Sequence, residues 1–263
     1  MSNKGNNFLT LGTAVFEQLF KENYSFYKGK YLHLEIQDFV FPSNLDYGAG
    51  DIINAYQKLL IDFDGTLSLH APFKEINPSS MDPLVRSLAE KRLAQALEYG
   101  GELGCQFMVV HSCYNPLMNY KGYTENWLEN SFPFWDSFLC RCEEKGITVV
   151  VENVWDARPD HIISLLEHYE SPYLQACLDT GHAHIFSAIP PGEWVQLYGQ
   201  HLAYLHLHDN HGVEDEHLPP GVGEIDFNCL LEQLPDGVPL INEAFGGEAE
   251  ELSFLRYLKN YEA

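Results

Sequence analysis

At 263 residues with a hydrophobic share of 45%, the chain has ample material for a core and the length of one α/β barrel. Its 38 acidic residues against 15 basic ones give a formal charge of −23, a surface that repels phosphate backbones and anionic membranes and so disfavours broad nucleic-acid binding. No run of about eighteen apolar residues suggests a membrane span.

The N-terminal stretch MSNKGNNFLTLG lacks the basic-then-apolar pattern of a secretion signal. The six cysteines, at 105, 113, 140, 142, 177 and 229, form no CxxC pair and read as reduced, mostly buried thiols of a cytoplasmic protein. In chain order, Phe8–Gly12 reads as a first strand followed by an amphipathic stretch through about Tyr27. Tyr31–Ile36 alternates with period two and is a second strand, and its far end, QDFVFPSNLDYGAG, reads as loop from its Pro, Asn and Gly. Helical spacing over Asp51–Leu60 precedes a third strand at Leu67–Pro72, and Asp82-Pro83 is a helix start with proline at the first helical position, running to about Leu103.

Cys105–His111 is apolar, Gln106 aside, until its final histidine, as a parallel strand covered on both faces should be. A long loop, SCYNPLMNYKGYTEN, leads to a helix around Phe134–Glu144, and Gly146–Asn153 is the clearest strand of all. A helix from Pro159 to about Tyr169 leads to the strand Leu174–Asp179. Pro191–Tyr198 is helical, and Leu202–His208 is strand seven. A helix at Phe227–Leu234, a strand at Pro239–Glu243 and a closing helix at Glu248–Tyr261 complete the series. Eight strands alternating with helices predict one (β/α)8 TIM barrel, and without repeats or linkers residues 1–263 are read as one domain.

In such barrels the site lies at the carboxyl ends of the strands. Read in order, those ends carry Glu35, His70, His111, Glu152, Asp179 with His182, His206, and Glu243. Strand seven is followed by HLHDNHGVEDEHLPPGVG, which adds His208, Asp215 and His217 before Pro219, Pro220 and Gly221 stiffen the chain. Histidine nitrogens and carboxylate oxygens converging on one rim are what a divalent cation such as Zn²⁺ or Mn²⁺ binds, and a cation relieves the repulsion among the carboxylates.

The motifs HAPF at 70–73, His111 at the end of strand four, VVVEN at 149–153, CLDTGHAHI at 177–185, the His206 stretch and LINEAF at 240–245 together resemble the xylose-isomerase-like barrel superfamily. That group takes in sugar isomerases and epimerases as well as the endonuclease IV type of AP endonuclease. The resemblance implies three metal positions: His70, His111 and Glu152; a central set of Glu152, Asp179, His206 and Glu243; and His182, Asp215 and His217. The isomerase and epimerase branch uses the central set alone, around one Mn²⁺, Mg²⁺ or Co²⁺. There the two glutamates, Glu152 and Glu243, shuttle a proton at a carbon next to a carbonyl.

Few cations stand on the site loops; Lys74, Lys121 and Arg158 are the obvious ones, too few for loops that grip and bend a duplex. Where ketose 3-epimerases carry an arginine after the strand-seven histidine, this chain has Asp209-Asn210-His211-Gly212. Aromatics crowd the same loops: Phe39, Phe41, Tyr47, Phe73, Tyr114, Tyr120, Tyr123, Trp127, Trp155, Phe186 and Phe245 suit a small-ligand pocket. Phe73, Trp155, His182 and His208 are the expected substrate contacts. The expectation is an isomerase or epimerase of a small sugar or polyol, holding one to three divalent metals (Zn or Mn, with Mg or Co also allowed), binding no nucleic acid and no membrane, a homo-oligomer being compatible. The alternative is a multinuclear zinc phosphoesterase of the endonuclease IV type. The DxDGT-like run Asp62-Phe63-Asp64-Gly65-Thr66 matches a phosphatase signature but joins a helix to strand three, at the wrong end of a barrel. His33, His161, His168 and His201 are read as surface or packing.

Overall fold

Short apolar runs with side chains alternating between two buried faces pack as parallel strands covered by helices. The computed structural model, which describes residues 9–118, 120–244 and 246–262, closes eight of them into a barrel in chain order. They are β1 (Thr10–Val15), β2 (His33–Ile36), β3 (Thr66–His70), β4 (Phe107–His111), β5 (Thr148–Glu152), β6 (Leu174–Asp179), β7 (Leu202–Leu207) and β8 (Pro239–Asn242). All neighbours are parallel, β1 pairing with β8 to close the ring.

The period of two assigns the faces. Val149, Val151, Leu178, Leu205 and Leu240 point outward into the core beneath the helices, whereas Val109, Val150, Cys177, Tyr204 and Ile241 form a separate cluster inside the barrel. Two residues beyond each inner position stands His111, Glu152, Asp179, His206 or Glu243, so the alternation that fills the barrel also aims these groups inward at its carboxyl mouth. Register aligns them: His111 faces Glu152 across β4–β5, and Asp179 faces His206 across β6–β7.

The outer layer comprises α1 (Glu17–Glu22), α2 (Tyr24–Lys28), α3 (Ala49–Leu59), α4 (Pro83–Leu103), α5 (Tyr123–Lys145), α6 (Asp160–Tyr169), α7 (Thr180–Phe186), α8 (Pro191–Tyr198), α9 (Phe227–Leu231) and α10 (Glu248–Glu262). The Asp82-Pro83 signal holds: Asp82 accepts the Leu84 N–H at 2.8 Å, and Gly104 ends the helix at φ 76°.

Several boundaries differ from expectation. The first strand begins at Thr10 rather than Phe8, which lies outside the described residues, and the first amphipathic stretch breaks at Asn23 into α1 and α2. The segment read as loop after β2 contains helical turns at Asp38–Val40 and Asn44–Gly48, the latter running on into α3. Helix α5 begins at Tyr123 rather than near Phe134 and continues through Pro133, because Trp127, Phe134, Trp135 and Phe138 bury one face of it. Helix α7 follows directly from β6, where only a motif was noted. The Asp62–Asp64 turn lies at the amino end of β3, away from the site mouth, with Asp62 3.7 Å from Lys28. All six cysteines are free, but only Cys105, Cys142 and Cys177 are buried; Cys140 and Cys229 are exposed on helices. No described helix is long and apolar enough to cross a membrane.

Candidate active site and metal centre

At the centre of the mouth, Glu152, Asp179, His206 and Glu243 bring ligand atoms within 4.8 Å of one another, all from buried residues. His206 Nδ1 lies 3.4 Å from Glu152 Oε1, 3.3 Å from Glu243 Oε2 and 3.8 Å from Asp179 Oδ2. Its other nitrogen, Nε2, is 3.0 Å from Glu35 Oε2, and that carboxylate also accepts from the Tyr204 hydroxyl at 2.9 Å. A carboxylate behind a histidine fixes its ring and leaves the opposite nitrogen for whatever lies in front. Glu35 therefore serves as the partner of His206 rather than as one more rim ligand.

On one side, His70 Nε2 and His111 Nε2 stand 3.2 and 3.3 Å from Glu152 Oε2. On the other, Asp215 Oδ2 lies 3.4 Å from His182 Nε2 and 3.2 Å from His217 Nε2. All nine residues of the three expected sets thus share one mouth. His70 and His217 direct Nδ1 at backbone carbonyls, of Ala71 at 2.8 Å and Glu243 at 2.7 Å. A carbonyl only accepts, so each Nδ1 carries a proton, and Nε2 is the nitrogen turned to the site, where it meets Glu152 Oε2 or Asp215 Oδ2 at 3.2 Å.

The sequence places these groups by local means. Asp179 caps α7, accepting the His182 N–H at 2.7 Å, and its backbone is tied to β5 by Asn153 at 2.9 and 3.0 Å. The strand-seven loop hangs on Asp209, fully buried. Its carboxylate accepts the N–H groups of Asn210 (2.9 Å), Gly221 (2.9 Å), Gly223 (2.8 Å) and Ile225 (3.1 Å). Gly223 is required there, since a Cβ would stand 2.4 Å from both Asn210 O and Asp209 Oδ1. Pro219, Pro220 and Gly221 suggested a stiff loop; Asp209 is the group that holds it.

Charge is strongly organised. Burial pushes Glu152 up, but the facing His111 and His206 outweigh it and hold its carboxyl well below the usual range. Glu243 goes the other way: burial, aided by Glu35 and Glu152, raises it against the pull of His206. Burial would raise Glu35, yet His206 and then His70 bring it down to about 2. Three buried carboxylates and an imidazole in one cluster are a donor set for a divalent cation of hard to borderline character, and His70 and His217 turn Nε2 to the same mouth. The residues fit a metal.

Above the cluster opens a cavity of about 600 Å³, lined by Phe73, Lys74, Trp155, His182, Phe186, Gln37 and ligand candidates including His70, His111, Glu152, Asp215 and Glu243. Phe73 stacks on His111 with centroids 4.4 Å apart, and Gln37 Nε2 donates to Glu243 Oε1 at 2.7 Å. Gln37 was missed in the sequence; it lies two positions past Glu35, in a stretch read as loop. Of the loop aromatics, Phe73, Tyr114, Trp155 and Phe186 line this cavity, Phe39 and Trp127 are core, Tyr47 is exposed, and Phe245 lies outside the described residues. His208, expected to touch substrate, does not line the cavity: it is fully buried behind Asp179, with Nε2 3.0 Å from both of its oxygens. His33 is packing, buried in the barrel interior with Nε2 2.8 Å from Ser68 Oγ and 3.2 Å from the Tyr204 hydroxyl. His161 is buried packing, held by Asp156 at 2.6 Å.

A family model described as xylose isomerase-like TIM barrel matches residues 33–260. Uncharacterized protein MJ1311 of Methanocaldococcus jannaschii is 29% identical over 233 residues, covering 85% of this chain and 75% of that protein. Among solved structures, a D-tagatose 3-epimerase-like protein superposes with a TM-score of 0.78 at 25% identity, covering 96% of this chain and 97% of the other. The TTHB071 protein from Thermus thermophilus, soaked with ZnCl2, gives 0.77 at 28%, covering 96% and 98%.

Proposed function

The chain belongs to the xylose isomerase-like TIM barrel family, and from that premise we propose that it is a divalent-metal-dependent isomerase or epimerase of a small sugar or polyol, with Glu152 and Glu243 as its paired proton-transfer groups. The observation that carries this reading is the convergence of both carboxylates on His206 Nδ1, at 3.4 and 3.3 Å, at the floor of the cavity. The likeness to a D-tagatose 3-epimerase-like protein supports a sugar as substrate.

Glu152, Asp179, His206 and Glu243 would hold the metal, which supplies Lewis-acid polarisation of a substrate carbonyl. The two glutamates have separate tasks at the C–H beside that carbonyl. Glu152, held ionised by its histidines, is suited to take the proton; Glu243, raised by burial and its acidic neighbours, is suited to hold one and return it. Gln37 fixes Glu243 by donating to its Oε1 at 2.7 Å, and Phe73, Trp155 and Phe186 give the sugar an apolar wall that excludes water. His182 and Lys74 offer donors to hydroxyls.

A second reading, a multinuclear zinc phosphoesterase, is favoured by one observation: His70 with His111, and Asp215 with His182 and His217, are gathered although a one-metal isomerase needs neither set. Against it stand the charge of −23 and a cavity lined by Lys74 as its lone lysine or arginine among the described residues. The test is an NMR screen of ketoses, aldoses and polyols beside a phosphodiester panel, before and after chelation. Sugar interconversion that chelation abolishes and Mn²⁺ restores is expected; phosphodiester cleavage without any sugar conversion would replace the first reading by the second.

A further inference from the structure

The layer of side chains beneath the metal cluster is not uniform. Two positions before His111, Glu152, Asp179 and Glu243, the barrel interior holds Val109, Val150, Cys177 and Ile241, as a packed barrel should. Two positions before Glu35, His70 and His206 it holds His33, Ser68 and Tyr204 instead, all fully buried. Buried polar groups are costly unless bonded, and apolar side chains of the same shape would serve stability as well. Folding alone therefore gives no reason for them.

They are bonded, and the bonds lead to the site. The Tyr204 hydroxyl lies 2.9 Å from Glu35 Oε2, and a carboxylate only accepts, so the phenolic proton is directed at Glu35. Beneath, the same oxygen meets Ser68 Oγ and, at 3.2 Å, His33 Nε2. His33 is pinned in turn, with Nε2 2.8 Å from Ser68 Oγ and Nδ1 2.7 Å from Thr66 Oγ1. Above, Glu35 Oε2 stands 3.0 Å from His206 Nε2, while its Oε1 accepts from Gln37 at 3.1 Å. A continuous path of hydrogen bonds thus climbs from the amino end of β3 to the imidazole whose Nδ1 faces Glu152, Asp179 and Glu243.

We infer that Tyr204 is a positioning residue for the central metal: it holds Glu35 against His206, and the His206 ring is thereby fixed with Nδ1 towards the ion. His33 and Ser68 keep the Tyr204 hydroxyl turned to Glu35 by occupying its other side. A carboxylate behind a histidine orients the ring and sets metal affinity, and here that support extends one residue deeper. The inference rests on the metal-dependent reading above and deepens it. It adds no ion and no reacting group, and assigns to three buried polar residues the task of holding the metal's histidine.

The test is Mn²⁺ binding to the full chain after removal of metals, followed by EPR, with manganese anomalous maps of loaded wild-type crystals to locate the central ion. Tyr204→Phe deletes the hydroxyl alone. Its affinity for the central Mn²⁺ should fall by about tenfold, the low end of the roughly 10–100-fold range for outer-shell partners, because Gln37 still holds Oε1. The line shape of the bound ion should change with it. Tyr56→Phe on α3 is the control, since its fully buried hydroxyl also donates to a buried carboxylate, Asp38 at 2.8 Å, outside the cluster. That variant should bind Mn²⁺ as wild type does. Equal affinity in Tyr204→Phe and wild type, or an equal loss in both variants, would overturn this inference alone. So would a wild-type map in which His206 binds the ion while Glu35 has left Nε2, a result independent of how the variants fold. A mouth that takes no Mn²⁺ would overturn it together with the metal reading.

Discussion

Replacing Gly181 by alanine sets two effects of opposite sign against each other. Gly181 lies in the first turn of α7, and in a helix the change from glycine to alanine by itself stabilises by about 0.5–1 kcal/mol. Here, however, a Cβ would stand 2.0 Å from His208 Cε1, 2.4 Å from Nδ1 and 2.7 Å from Nε2, where relaxed carbon contacts need roughly 3.5–4.0 Å. The ring cannot step back, being stacked on His217 and bonded to Asp179. Overpacking of a filled interior costs about 1–3 kcal/mol, so the steric effect wins and a net loss of roughly 1–2 kcal/mol is expected. Gly50 in α3 is the control, because a Cβ there meets nothing within 4 Å. Gly50→Ala should stabilise by about 0.5–1 kcal/mol. Urea unfolding of both variants reads the sign directly, and thermal midpoints should move in opposite directions by about 2–4 °C per kcal/mol. A Gly181→Ala protein as stable as wild type would refute the packing of His208 against α7.

Three further outcomes are expected. Burial lowers His33 to about 4, with Glu35 opposing; the unfolded chain therefore binds the proton first, and about 3 kcal/mol of stability present above pH 6.5 should be lost as pH falls towards 4. His33→Asn should remove that part of the slope in unfolding free energy measured across this range, and an unchanged slope would contradict it. Changing Asp215 and His217 together to alanine should lower the zinc count per chain without emptying the central site, as elemental analysis would show; an unchanged count would contradict the assignment. With a charge of −23 the protein should neither bind duplex DNA at physiological salt nor nick abasic sites with zinc supplied; nicking abolished by chelation would instead favour the phosphoesterase.

How much of this was legible in the sequence follows from which signals are local. The strand-end groups were readable because a barrel strand alternates strictly: once Val150 and Tyr204 are inward, Glu152 and His206 must be. Asp179 and Glu243 follow in the same way, two positions beyond Cys177 and Ile241. Only the second half of helix α5 was legible, because its first turns fall in a run that reads as loop and precede Pro133, while the decisive contribution, burial of Trp127 and its neighbours, is tertiary. The roles of Glu35 and His208 were illegible for another reason. Both carry metal-type side chains at the right place, but whether a carboxylate or imidazole faces an ion or stands behind another ligand depends on sub-ångström placement across neighbouring strands. Asp209 looked like one more acid in an acidic loop, and only the four N–H groups folding back on it reveal its task.

The central claim is that Glu152 and Glu243 move a proton at a carbon beside a carbonyl. Deuterium incorporation tests it most directly: the manganese-loaded protein is incubated in D2O with whichever sugar the screen identifies, and the label is located by NMR. Wild type is expected to place deuterium at the carbon adjacent to the carbonyl. Glu152→Gln and Glu243→Gln should slow that exchange by about 10²–10⁴-fold while keeping the fold. Exchange at the wild-type rate in either variant, or product formed without any label from solvent, would contradict the claim.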